Sequence, residues 1–174
     1  MKSARAVTHS IRLDSRVYEQ LEKKAKEKTV SFNNLVNQVL KKYVEFDQFA
    51  VKFGFMMFHR DLVSQQLSTF ESEVVASIGE TVGKTFAKDV LLTIGLPMNR
   101  DSLLYFIETI LGRYENLFDC QRFLRDGREL LYLRHSLGEK WSLFLKGYTS
   151  AAFKTLLGKE PAIEVSSDGI SFAA

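Results

Sequence analysis

Thr8, Ser10 and Arg12 stand two residues apart in the run Thr8-His9-Ser10-Ile11-Arg12-Leu13. In an extended chain that spacing puts all three on one face, because side chains alternate in direction along a strand. Two hydroxyls beside a planar guanidinium are equipment for reading hydrogen-bonding groups, not for breaking bonds. Bond-making chemistry has little to work with elsewhere. His9, His59 and His135 lie far apart and share no metal-ligand spacing. No glycine-rich phosphate loop or nucleophile elbow occurs, and Cys120 is the one cysteine. Ser136 follows His135 directly, and neighbours on a strand point to opposite faces, so the two are no catalytic pair. The expectation is a protein that is not an enzyme and needs neither metal nor cofactor. Asp61, Glu71, Glu73 and Glu80 read as wet helix faces.

The elements that must position the recognition residues follow from charge and periodicity. The chain has 174 residues, 45% hydrophobic and 26% charged, a globular composition with 14 Phe and 6 Tyr for a core. No run of roughly 18 apolar residues exists to cross a membrane. The basic tip Met1-Lys2-Ser3-Ala4-Arg5 leads into no apolar stretch, so no signal peptide is expected. A single cysteine closes no internal disulfide, and the chain reads as cytoplasmic. Of the net charge of +3, residues 1–45 carry more than all: 10 Lys and Arg against 5 Asp and Glu. A basic head on a slightly acidic body suits a head that meets a polyanion.

Within the head, the alternation at 8–13 sets His9, Ile11 and Leu13 against Thr8, Ser10 and Arg12. Asp14-Ser15 then offers a helix cap, and a first helix is predicted from about Arg16 to Lys28 with Val17, Tyr18, Leu21 and Ala25 as its stripe. After Thr29-Val30, Ser31 caps a second helix bearing Phe32, Leu35, Val36, Val39, Leu40, Tyr43 and Val44 on one side. Asn33, Asn34, Asn37 and Gln38 take the other. A six-residue strand with no sequence-adjacent partner leaves a row of unpaired backbone groups, and two short helices enclose no core alone. Self-pairing is the simplest resolution of both: the strand meets its twin from a second chain, and four helices share one core. The alternatives are a strand that joins a sheet in the body of the same chain, and a helix-turn-helix with Asn33, Asn34 and Asn37 as readers. Ile11, Leu13, Leu21, Leu35, Val36, Val39 and Leu40 are the expected dimer core. A two-stranded ribbon of this kind fits the major groove of double-stranded DNA.

The matching stretches Ser10-Ile11-Arg12-Leu13-Asp14, Leu21-Glu22-Lys23-Lys24-Ala25 and Val30-Ser31-Phe32-Asn33-Asn34-Leu35-Val36 make residues 7–45 resemble the ribbon-helix-helix DNA-binding domain, the class of the Arc and MetJ repressors. The resemblance implies that Thr8, Ser10 and Arg12 contact bases, and that the start of the second helix, Ser31, Phe32 and Asn33, grips a phosphate. A helix N-terminus also suits an anion on physical grounds. Lys2 and Arg5, ahead of the ribbon, are expected on phosphates. One departure stands out: the family places Gly in the inter-helix turn where this chain has Thr29. A left-handed turn costs a β-branched residue most, so an altered or strained turn is expected.

Residues 49–174 are predicted to form a mainly helical α+β domain with two β-hairpins, so that the whole is α+β with a ribbon-helix-helix domain at 1–48. Phe46 to Phe58 is dense in aromatics, with no flexible linker composition. Helices are expected over 59–68, 70–94, 101–117 and 139–157, the second with Val74, Val75, Ile78, Val82, Phe86, Val90 and Leu91 inward. Asp126-Gly127 marks a hairpin between strands at about 118–125 and 128–135, and Asp168-Gly169 a second. His135 to Ser142 reads as a strand–helix junction anchored by Trp141; in a sensing version His135 and Trp141 border an effector pocket. The order of elements is similar, in topology alone, to prokaryotic sensor domains for small molecules. The expected function is that of a homodimeric or higher-order transcriptional regulator, acting as a repressor. Its partners would be DNA, itself and a small-molecule effector. The alternative is an antitoxin-type interaction module that uses the same head to dimerise.

Overall fold

The computed structural model describes residues 7–50, 52–125 and 128–173. Helix α1 (Ser15–Glu27) begins at Asp14, whose carboxylate accepts from the backbone N–H groups of Arg16 (2.9 Å) and Val17 (3.3 Å). These amides have no partner inside the helix, which is why a short acidic side chain starts it. At its other end Val30 N–H donates to the Ala25 carbonyl and Thr29 N–H to that of Lys26, both at 3.0 Å. That pair of bonds is a Schellman turn, which needs a left-handed residue. Thr29 supplies it, at φ +55°. The turn thus keeps the geometry glycine would give, and the β-branched side chain carries a strain of roughly 1–2 kcal/mol.

Ser31 caps helix α2 (Phe32–Lys42) by accepting from Asn34 N–H at 3.2 Å. The helix runs on through a π-helical turn, Tyr43–Asp47, into the short α3 (Gln48–Ala50). Ala25 and Leu35 are buried, and the Tyr18 and Phe32 rings lie 5.0 Å apart across the two helices. Residues 7–14 form no strand in the single chain. A ribbon needs a second strand, and none of the described strands pairs with this segment.

The chain divides into two compact units, Met1–Gln48 and Phe49–Ala174. The second contains α4 (Arg60–Ser68), α5 (Ser72–Thr93), α6 (Arg100–Tyr105), a π-helical stretch Phe106–Tyr114, strands β1 (Asp119–Arg125) and β2 (Arg128–Arg134), α7 (Glu139–Leu157), β3 (Ile163–Ser166) and β4 (Gly169–Ala173). The fold class is α+β. The hairpin turn residues Asp126 and Gly127 fall outside the described residues, but the register Cys120↔Leu133 through Arg125↔Arg128 is continuous. The two hairpins join into one antiparallel sheet of order β1-β2-β4-β3, with Leu131 opposite Phe172 and Leu133 opposite Ile170. Those four side chains are buried, and Phe172 meets Phe153 of α7 edge-on at 5.5 Å.

Helix α5 corrects the expected orientation in part: Val75, Val90 and Leu91 are inward as expected, but Val74, Ile78 and Val82 are not. Val75, Gly79, Gly83, Ala87, Val90 and Leu91 face inward, while Val74, Ile78 and Val82 remain 45%, 42% and 38% exposed. The reason is close approach. A Cβ on Gly79 would run into the carbonyl of Phe144, on Gly83 into that of Tyr148, and on Gly147 into that of Ala76. The two helices meet backbone to backbone along a glycine seam, and only the face lacking side chains permits it.

Candidate nucleic-acid interface

Thr8, Ser10 and Arg12 are exposed, as is every residue from Val7 to Gln20. Ile11 and Leu13 are open as well, at 56% and 38% exposed. Of the expected dimer core only Leu35 is buried within one chain; Leu21 and Val36 are half-buried, and Val39 and Leu40 keep about half their surface, at 51% and 53%. Between residues 9–13 and the helices lies an open cleft of about 580 Å³, lined by His9, Ile11, Leu13, Tyr18 and Phe32 among others. Lys2 and Arg5 fall outside the described residues.

The start of α2 has no acidic residue in its first turn, and Asn33 is exposed there while Phe32 is half-buried. With Asn34 N–H taken by Ser31, the first amides of the helix face outward with its positive dipole end. Two lysines of α1 are tied locally: Lys24 to Glu27 at 2.9 Å and Lys26 to Glu22 at 3.3 Å. The Lys24 hydrogen bond holds Glu27 below the usual carboxylate range. Lys41 and Lys42 pair with Glu45 and Asp47 in the same way. Such exposed pairs are weak and screened, so they leave the lysines able to turn to a phosphate.

In the second unit, His135 directly follows β2 and is buried. Leu137 N–H donates to its Nδ1 at 3.2 Å, which leaves the ring proton on Nε2, and Nε2 donates to Ser142 Oγ at 2.9 Å. Both ring nitrogens are thus engaged in fastening the strand to the first turn of α7. Burial lowers the His135 pKa, with Asp168 opposing, so the ring stays neutral. Trp141 is buried and stacks on Phe144 at 4.7 Å. These contacts are those of a strand–helix junction.

A surface depression of about 410 Å³ lies elsewhere, at Glu108, Arg113, Asn116, Asp119 and Arg122. Arg122 bridges Glu108 (2.9 Å) and Glu129 (3.2 Å), and Arg100 reaches Glu129 at 2.7 Å. Cys120 adjoins it, but burial pushes the thiol up to about 12, far from a reactive thiolate. Among the described residues no three His, Cys, Asp or Glu side chains stand together as metal ligands would.

Sequence reasoning missed two features. One is the outward ridge of α5, for which the spacing Gly79, Gly83, Ala87 was a usable signal. The other is Glu115, just past the π-helical stretch, whose carboxyl is raised to about 8 by burial. Its Oε1 and the hydroxyl of Tyr148 are buried without a hydrogen-bond partner among the described residues, as is Trp141 Nε1. Burial and the nearby Glu115 drive the Tyr148 hydroxyl well above its ordinary pKa. Nothing in the local pattern around Glu115 marks it as internal. The chain matches no protein-family model, no curated protein and no solved structure.

Proposed function

We propose that this chain is a sequence-specific DNA-binding regulator whose head pairs with a second copy to make a ribbon-helix-helix dimer, with repression by groove occupancy as its mode of action. One observation carries the reading. Capped helices and a complete left-handed turn present an apolar face, Ile11, Leu13, Val39 and Leu40, that a single chain leaves open. A preformed half with its apolar side exposed is the form a shared core takes before its second half arrives. Strand pairing across the two-fold would cover Ile11 and Leu13 and turn Thr8, Ser10 and Arg12 outward toward base edges. The second unit would then sense an effector or extend the assembly. Such a ligand acts only through unequal affinity for two arrangements of the heads.

Selection of bound duplexes from random DNA tests the reading, and symmetric half-sites are the expected result. On the selected site Arg12→Ala should cost about 1–3 kcal/mol, and much less on random DNA, because a bidentate contact to guanine is lost. If sequence preference survives Arg12→Ala yet disappears with Asn33→Ala or Asn37→Ala, α2 is the reader and the ribbon is not. If no duplex is enriched, the antitoxin-type interaction module takes its place.

A further inference from the structure

Helix α5 presents an uncharged strip to solvent. Val74, Ser77, Ile78, Thr81, Val82 and Thr85 point outward over three turns, and all six are exposed. A solvated face of a 22-residue helix ordinarily carries charge there. The charges lie at its edge and ends instead. Glu80 and Lys84 pair with each other at 2.7 Å along one edge, and Glu73 lies on that same edge nearer the N-terminus.

This layout is self-complementary in one orientation. The ridge Val74, Ile78, Val82 follows a four-residue spacing, the row that interdigitates in the commonest class of helix crossing. Take a two-fold axis passing beside Ile78 and perpendicular to the helix. Ile78 then meets its own copy and Val74 meets Val82. Glu73 and Lys84 lie five and six residues from Ile78 on opposite sides, so each Glu73 comes to the partner's Lys84 along one edge. A parallel arrangement would bring Glu71 and Glu73 against their own copies. The small hydroxyls of Ser77, Thr81 and Thr85 let the ridges sink together.

We propose that α5 is a second self-association surface, on which two copies of this chain pair antiparallel about Ile78. The proposal rests on the dimeric head, because three apolar side chains per copy make less than a standard stable interface. Chains already joined at their heads hold the second units at an effective concentration of roughly millimolar order, where a small interface suffices.

Cross-linking of the full-length chain in a Cys120→Ser background tests this. Ile78→Cys should oxidise to a covalent dimer about tenfold or more faster than Thr155→Cys, an exposed control on α7, because only the former meets its own copy at the interface. Co-expressed Val74→Cys and Val82→Cys chains should link to each other and not each to itself. Sedimentation of the unaltered chain separates the two ideas. A dimer in which Ile78→Cys links no faster than Thr155→Cys overturns the α5 surface and leaves the head intact. A monomer at every concentration overturns both. Ile78→Glu should abolish the α5 pairing, read as the lost Val74→Cys to Val82→Cys link, while half-site binding persists.

Discussion

In the second unit Leu91, Leu103, Ile110, Leu131 and Ile170 are withdrawn from solvent entirely, whereas in the first Ile11, Val39, Leu40, Tyr43 and Val44 each keep more than half their surface. Both units draw on the same residue types and on amphipathic helices. The difference lies in what covers them. The second has a sheet and crossing helices, enough layers to close a core. The first has two helices and an unpaired segment, and a chain of that size buries too little apolar area by itself. An exposed Val39 therefore stands in a different setting from an exposed Val74: on the proposed dimer one is half of a shared core, while the other is a ridge on a core already closed.

Truncation separates these situations most strongly. Leu91→Ala should destabilise the second unit by about 2–5 kcal/mol whatever the protein concentration, because it opens a cavity in a closed core. Val39→Ala should cost roughly 2–4 kcal/mol as well, with a melting temperature that rises with concentration. If Val39→Ala instead stays within about 0.5 kcal/mol, the ordinary value for an exposed site, the head is complete as a single chain and the comparison collapses.

A smaller effect follows from pH and belongs to the second unit. Glu115 titrates at about 8 in the fold against 4.5 in an ordinary carboxyl. The fold therefore holds a proton that the unfolded chain has released. Its contribution is full below pH 4.5 and is lost as pH rises through 8. The swing should reach roughly 2–4 kcal/mol by pH 9, below the full value of the shift because the group is not wholly buried. His135 acts in the other direction: its pKa is depressed, so its contribution is present above about 6.5 and is lost as pH falls. Urea midpoints from pH 5 to 9 should fall on the alkaline side, and Glu115→Gln should flatten that limb alone. An unchanged alkaline limb would place the carboxylate in contact with water.

The smallest effect compares two helix ends. After α5, Gly95 at φ +75° closes a Schellman turn, with Leu96 N–H to Leu91 O at 2.9 Å and Gly95 N–H to Leu92 O at 3.2 Å. Thr29 closes the same turn after α1 at φ +55°. Thr29→Gly should stabilise the head by about 0.5–1 kcal/mol, the relief of left-handed strain less the added freedom of the unfolded chain. Gly95→Thr should do the reverse. A neutral Thr29→Gly would mean that the threonine side chain stabilises the turn in another way.

Local signals were legible in this sequence because they act over four or five residues. Asp14 and Ser31 begin their helices, Gly158 at φ +72° ends α7, and the span Glu139–Leu157 is the one the periodicity predicts. The two hairpins were signalled by their Asp-Gly dipeptides, although in the second Gly169 already belongs to β4, paired with Ser166. Their union into one sheet was not signalled, since β2 and β4 are joined by contacts more than thirty residues apart. Periodicity predicted Val75, Val90 and Leu91 inward, as they are, but hydrophobicity also drew in Val74, Ile78 and Val82, which lie on the open side. Glycine carries no side chain to count, yet Gly79, Gly83 and Gly147 allow the closest approach and so decide the orientation. The same limit hid Glu115, a charged residue made internal by elements distant in sequence. For the head, the sequence determines caps, turn and an apolar stripe, all within one chain. Whether that stripe is a surface or a core depends on a second chain, because burial belongs to whatever packs against a residue and not to the residue.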